Sequence, residues 1–481
     1  MAPATVVSAD PAPAATKPTS STSTKQAATT AGSSNVFHNS TLQDPHTVVA
    51  ADRHHLILAN GQRVLDATGG AAVACIGQSD QRVKQAIAEQ LDKVQYCHAL
   101  FFGNTPSEEL ANELIDSTGG KMAKVFIVSS GSEAMEAAMK LTRQYFVELS
   151  QPQRTQFIAR HESYHGITLG ALSMGGHKFR RELFKPMLLN NISHVSPCNP
   201  YRGKHDGESD EAYVARLARE LDDEFQRLGP ENVCAFVAEP VVGAALGCVP
   251  SVPGYFRAVK SVCDKYGALL IMDEVMCGMG RTGTLHAWQQ EDGVVPDIQT
   301  IGKGLGAGYM PIAAVMANQK VVDAFNNGTG SFRHGQTYQG HAIASAAALA
   351  VQRIIKSDGL LPRAQHLGNI LSSVLIERLA SHPFVGNIRG RGLFWGIEFV
   401  ADKKTKEPFD LKEKISMAVH DRGLSTKWNI SLFPGTGTAD GYKGDHILLA
   451  PPYTLTDEEM LDLVHRAVGV VEEEFRERGL V

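Results

Sequence analysis

The chain has no long apolar run. No stretch approaches the roughly 18 to 20 residues that cross a bilayer, so a membrane-spanning helix is not expected. It also has no stretch dense in Lys and Arg, and 46 basic against 51 acidic residues leave a net charge of −5 with neutral histidines. That balance fits neither nucleic acid nor an anionic membrane as a partner; a small molecule is the natural one. The seven cysteines, Cys75, Cys97, Cys198, Cys234, Cys248, Cys263 and Cys277, include no CxxC pair. An odd, scattered set is unlike a disulfide framework or a zinc cluster, and it fits a reducing compartment, so a cytoplasmic location is expected. No metal site is expected, and no repeat with a period of about 20 to 50 residues is visible.

Residues 1–34 lack large apolar side chains almost entirely. A segment of Ala, Thr, Ser and Pro cannot bury enough surface to offset its ordering entropy, which predicts a disordered tail. It carries Lys17, Lys25 and Asp10 but no arginine, unlike a mitochondrial transit peptide. Over the whole chain, 43% hydrophobic and 20% charged residues in 481 suit a globular enzyme of two or three domains.

The most informative stretch is ALLIMDEVMCGMGRTG, followed by PDIQTIGKGLGAGYMPIAAV. Ala268–Met272 reads as a buried parallel strand that delivers Asp273 and Glu274 at its C-terminal end, the edge where open α/β sheets bind ligands. A second short strand, 297–301, delivers Lys303 into the glycine-rich segment GKGLGAG, whose order G-K-G lacks the Walker pattern. Alone, such an Asp caps a turn and such a Lys is a solvated surface residue. Together they suit pyridoxal phosphate, whose aldehyde condenses with a lysine and whose pyridine nitrogen needs an acid to keep it protonated.

These two segments resemble the signature of the class III aminotransferases, the ornithine and omega-amino-acid branch of the fold-type-I pyridoxal-phosphate enzymes. Similarity extends from about Leu65 to about Pro452. It implies an α/β fold: a large domain with a mostly parallel seven-stranded sheet, a smaller α/β domain drawn from both chain ends, and a homodimer with shared sites. The boundaries expected are a first part of the small domain over 35–100, the large domain over 101–345, a connecting helix over 346–380 and the rest of the small domain over 381–481.

Three further segments place the cofactor. Val125–Val128 reads as a strand, Ser129–Ser132 as a polar turn, and Ala134, Ala137, Ala138, Leu141 and Tyr145 as one stripe of a helix. The first helical turn has unpaired N–H groups, so Ser130, Gly131 and Ser132 can wrap a phosphate, although Ser-Gly-Ser is also an ordinary helix cap. The resemblance puts Tyr164 of HESYHG against one face of the pyridine ring with His165 beside it, and Val275 against the other. Glu239, at the end of the Val233–Ala238 strand, is a further candidate at the sheet edge.

For substrate, the resemblance implies that Arg389 of IRGRGL grips an α-carboxylate, with Arg391 its rival, and that Glu239 pairs with Arg389 when the donor has no α-carboxylate. Arg180 and Arg181 of HKFRRELF are read either as receptors for a second carboxylate or as a solvated basic patch. Thr337 is expected to reach the neighbouring subunit's cofactor phosphate, and His341 departs from the asparagine that relatives often carry there. Ala71, Ala72 and Val73 are small where some relatives have aromatics, which implies a roomy pocket. The implied activity moves an amino group from an amino acid or amine, of omega-amino or diamino type, to a 2-oxo acid by a ping-pong cycle. An aminomutase or racemase of the same family is the alternative reading, and a silent dimeric scaffold is a third.

Overall fold

Four short buried strands set the centre of the fold. Leu269–Asp273, Val233–Ala238, Ile298–Ile301 and Ala313–Ala317 are buried at every residue. A strand covered on both faces needs no alternation of polar and apolar residues, and the two polar side chains of Ile298–Ile301 are buried on partners, Gln299 on Trp288 and His286 and Thr300 on Asp273. The computed structural model describes residues 34–40 and 42–480, so the tail expected over 1–34 lies outside them but for Ser34.

The chain forms two compact units, one up to Thr47 and one from Val48 onward. In the first, residues 34–40 and 42–47 contain bends but neither helix nor strand. The second is built on a seven-stranded sheet in the order Lys124–Val128, Ala313–Ala317, Ile298–Ile301, Leu269–Asp273, Val233–Ala238, Gln156–Arg160, Ile192–Val195. Ala313–Ala317 runs antiparallel to both neighbours, and the other pairings are parallel. The mostly parallel seven-stranded sheet is therefore present.

Helices cover both faces, as a parallel sheet requires. The helix Gly131–Glu148 lays Ala134, Ala137, Ala138, Leu141 and Tyr145 on one face, the stripe expected from the sequence. The helices Asp210–Leu228 and Tyr255–Tyr266 pack on the other through Tyr213, Leu217, Phe225, Phe256 and Val259.

Both chain ends meet in smaller sheets. Val48–Asp52, His55–Leu58 and Arg63–Asp66 form an antiparallel set, and Ile430–Ser431 joins it in parallel with Arg63–Asp66. The hairpin turn expected at Asn60-Gly61 is there, with Gly61 at φ +84°, a conformation that favours glycine. A third sheet pairs Val385–Arg391, Phe394–Phe399, Asp445–Leu449 and Phe433–Gly435 antiparallel.

The segment read as one connecting helix over 346–380 is two helices, Ala342–Ser357 and Leu360–Leu379. Gly359, at φ +62°, breaks them apart. The closing helix Asp457–Glu477 has the capping box foreseen from Thr456 and Glu459. Among the described residues, no helix is long and apolar enough to cross a membrane.

Candidate active site

Parallel strands end at one edge, so the loops after Val128, Arg160, Ala238, Asp273 and Ile301 converge there. A cavity of about 510 Å³ opens at that edge. Its walls include Ser130, Gly131, Ser132, Tyr164, His165, Glu239, Asp273, Val275 and Lys303, together with Arg180 and the small residues Ala71 and Val73. Residues scattered over more than two hundred positions are thus brought together by sheet topology alone.

Asp273 is buried and accepts three hydrogen bonds, which leaves one acceptor site of its carboxylate open. His165 Nδ1 lies 2.7 Å from its Oδ2, Thr300 Oγ1 donates to Oδ1 at 2.9 Å, and the Val275 N–H donates to Oδ1 at 3.1 Å. A carboxylate only accepts, so the His165 proton sits on Nδ1 and the ring is oriented by this bond. Glu274, next in sequence, faces away from the cavity wall. Its carboxyl accepts from Ala287 N and Trp288 N at 2.6 and 2.8 Å, and burial pushes its pKa up to about 8. Of the two acids at the strand end, one serves the cavity and the other ties down the next turn.

Lys303 occupies a left-handed backbone conformation, φ +44°, rare for a residue with a side chain. Such strain persists where surroundings over-determine it. The turn is closed by Ala307 N donating to Lys303 O at 3.0 Å. From behind, Gln352 Nε2 donates to Gly304 O and Leu305 O at 3.1 and 2.9 Å. Burial lowers the pKa of the Lys303 amine below the ordinary lysine value, with Asp273 and Glu239 opposing and Arg180 assisting. A depressed amine pKa enlarges the neutral, nucleophilic fraction.

The start of the helix Gly131–Glu148 borders the same cavity. Ser130 Oγ accepts from Glu133 N at 3.3 Å, so the serine is a helix cap as well as a wall of the cavity. Capping takes the third N–H of the turn; those of Gly131 and Ser132 have no acceptor within the helix and are placed for an anion. A Cβ at Gly131 would come within 2.7 Å of Val275, so only glycine lets this turn lie so close. Amine, acid and anion-binding turn on one wall fit pyridoxal phosphate: Lys303 for its aldehyde, Asp273 for its ring nitrogen, Ser130–Ser132 for its phosphate.

Glu239 is buried beside them. Its carboxylate accepts from Tyr164 N and Gly243 N, each at 3.1 Å, and burial raises its pKa, the nearby Asp273 adding to the effect and His165 opposing it. Its expected partner, Arg389, lies outside the cavity wall. Arg389 is buried, with Nη1 2.6 Å from Glu398 Oε2 and 3.0 Å from Asn387 Oδ1, Nε donating to Gly247 O at 3.0 Å, and Nη2 donating to Leu246 O. Arg391 pairs with Glu291 at 2.6 Å.

Thr337 is exposed on the loop before the helix Ala342–Ser357 and does not border this cavity within its own chain. His341 caps that helix, its Nδ1 accepting from Ala344 N at 3.4 Å, which is the work of an asparagine at this position. Thr300 and Gln352 were not foreseen. Thr300 sits across from Asp273 in the strand register, and only the pairing of two strands, which no local pattern encodes, could have revealed it.

Comparisons with known proteins agree with this chemistry. The pattern of a family described as aminotransferase class-III matches residues 38–470. The chain is 54% identical to an aminotransferase of Gibberella zeae, over 89% of this chain and 84% of that one. It is 49% identical to an uncharacterised aminotransferase of Schizosaccharomyces pombe, over 89% and 93%. Among solved structures, the omega transaminase of Pseudomonas jessenii in complex with PMP is 31% identical and superposes with a TM-score of 0.84, covering 91% of this chain and 94% of that one. With its amine, acid and phosphate turn on one cavity, the chain belongs to the class-III aminotransferases, pyridoxal-phosphate enzymes that catalyse transamination.

Proposed function

We propose that the amino donor is an omega-amino acid or a diamino compound, that a 2-oxo acid is the acceptor, and that the two use one cavity in turn by a ping-pong cycle. The observation that carries this is the convergence of Lys303, Asp273 and the Gly131–Glu148 helix start on one cavity of about 510 Å³. Ala71 and Val73 leave its other side open to an extended donor, and the likeness to an omega transaminase supports the same class.

When bound, the cofactor supplies an electron sink for the carbon that loses its proton. Everything else falls to the side chains. Lys303, once free, takes and returns a proton, and burial, by lowering its amine pKa, enlarges the neutral fraction that can accept one. Asp273, braced by His165 and Thr300, holds a proton on the ring nitrogen. Tyr164 and Val275, which line the cavity, would flank the ring and limit water.

The working unit we infer is a homodimer. Leu100, Phe101, Phe102 and Tyr338 are each more than half exposed, and Tyr338 packs edge-on against Tyr96 with ring centroids 6.1 Å apart. So much exposed apolar surface near Thr337 suits cover by a second copy, which would bring Thr337 toward that copy's phosphate turn. Sedimentation equilibrium is expected to give twice the chain mass of 51.8 kDa; a lone 51.8 kDa species would remove that role for Thr337.

A panel of amino donors, scored by loss of the 2-oxo acid, tests the reaction. Omega-amino acids or diamines are expected to consume it one for one. Isomerisation of a donor with no loss of 2-oxo acid would instead make the enzyme an aminomutase or racemase.

A further inference from the structure

A 2-oxo acid brings a carboxylate into a cavity that already holds two acids, so a cation must meet it. Lys303, His165 and Arg180 are the basic side chains on the wall. Lys303 is committed to the reacting carbon, and His165 to Asp273. Arg180 remains. We propose that Arg180 receives the carboxylate of the acceptor, and of any donor that carries one, and that Arg389 does not. The inference rests on the transaminase reading above.

Three observations carry it. First, the Arg180 guanidinium carbon lies 5.0 Å from the centroid of the Tyr164 ring, and no carboxylate among the described residues pairs with it. An aromatic face takes up none of the N–H groups of the fork as a carboxylate would, so they remain able to hold a carboxylate with two parallel hydrogen bonds.

Second, the short helix Lys178–Glu182 that carries Arg180 is splinted by the loop 436–444. Lys178 Nζ donates to Asp440 O at 2.7 Å, Phe179 N donates to Gly441 O at 3.2 Å, and His177 Nε2 lies 3.1 Å from Thr436 O. Gly441, at φ +89°, is what allows this approach: a Cβ there would come within 2.9 Å of the Lys178 side chain. A receptor fixed before binding loses less freedom when the ligand arrives. The same contacts occupy Lys178, while Arg181 does not border the cavity.

Third, Arg389 is not available. Each of its three nitrogens is already engaged, and its partner Glu398 is fully buried. Arg202 Nε and Thr438 Oγ1 also donate to Glu398, at 2.6 and 2.9 Å. Swinging Arg389 toward a substrate would break this network and weaken the compensation of a buried carboxylate. Arg389 is therefore a structural ion, and Arg180 the receptor.

The test compares holoenzymes of wild type, Arg180→Met and Arg180→Lys. Steady-state kinetics are measured with pyruvate or 2-oxoglutarate, whichever turns over, and with propanal, a carbonyl acceptor that has no carboxylate. In Arg180→Met, kcat/KM for the 2-oxo acid is expected to fall about 100-fold, mostly through KM, as loss of a charge-assisted bidentate contact implies. Propanal should change by less than about threefold, and the lysine variant should recover part of the loss. A 2-oxo acid unaffected in Arg180→Met, or both acceptors falling together, overturns the assignment. Calorimetric binding of glutarate, an unreactive carboxylate, reads the same contact without turnover. It should weaken about tenfold or more in Arg180→Met; equal affinity in the two proteins overturns the proposal. If no donor causes loss of a 2-oxo acid in the wild type, the transaminase reading fails on its own, while the glutarate measurement still decides the role of Arg180.

Discussion

Replacing Lys303 by alanine is expected to lower turnover by about 10³-fold or more while leaving the fold intact. In the proposed cycle the residue supplies the amine that holds the cofactor aldehyde and that later moves a proton, and general acid–base catalysis alone accounts for about 10²- to 10⁴-fold. Among the described residues its side chain makes no hydrogen bond or ion pair. The turn around it is held by backbone atoms and by Gln352, whose hydrogen bonds run to Gly304 O and Leu305 O and survive the change. Single-turnover kinetics with saturating donor, beside a thermal melt, separate the two effects. A melting temperature near that of the wild type with turnover gone is the expected pair; turnover retained would contradict the assignment.

The second large effect belongs to Asp273→Asn. The side chain is isosteric but neutral, and it sits among three groups that all donate: His165 Nδ1, Thr300 Oγ1 and the Val275 N–H. An amide can accept through only one atom, so its own N–H2 must face at least one donor, and the negative charge proposed to hold a proton on the cofactor ring is lost. Turnover is expected to fall about 10³-fold, within the range for a lost charge in a water-excluded site. The check is kcat measured with the cofactor saturating, so that weakened cofactor binding does not enter. A drop of less than about tenfold would mean that Asp273 serves only to orient His165.

Both predictions involve residues that the sequence made visible, for a physical reason. Asp273 ends a short apolar run that announces a parallel strand, Lys303 follows a second short strand opened by a Pro-Asp signal, and the ends of parallel strands point to the binding edge. Ser130–Ser132 were visible in the same way, by the change from a strand to a helical stripe across a small polar turn. Of the two roles offered for Ser130, helix cap and phosphate contact, the first is present, and it leaves room for the second because the hydroxyl serves the helix while the next two N–H groups stay free of it.

What local pattern did not carry was pairing between distant segments. Arg389 looked free for a substrate because nothing in IRGRGL foretells that Glu398, on the adjacent antiparallel strand, meets its guanidinium. Thr300 was missed because its partner is fixed by strand register. Gln352 was missed because an amide in an alanine-rich helix looks like any surface residue until the helix packs behind the Lys303 turn. The break at Gly359 between the two long helices was likewise hidden, because the apolar pattern continues on either side of it. Arg180 and Arg181 were adjacent and indistinguishable in sequence; one borders the cavity and the other does not.

The account stands on Lys303 being the amine that meets the cofactor aldehyde. Borohydride reduction of the holoenzyme, followed by digestion and peptide mass spectrometry, reads this directly. The pyridoxyl group is predicted on the peptide that contains Lys303, at that residue; a label on any other lysine, or none, would contradict it.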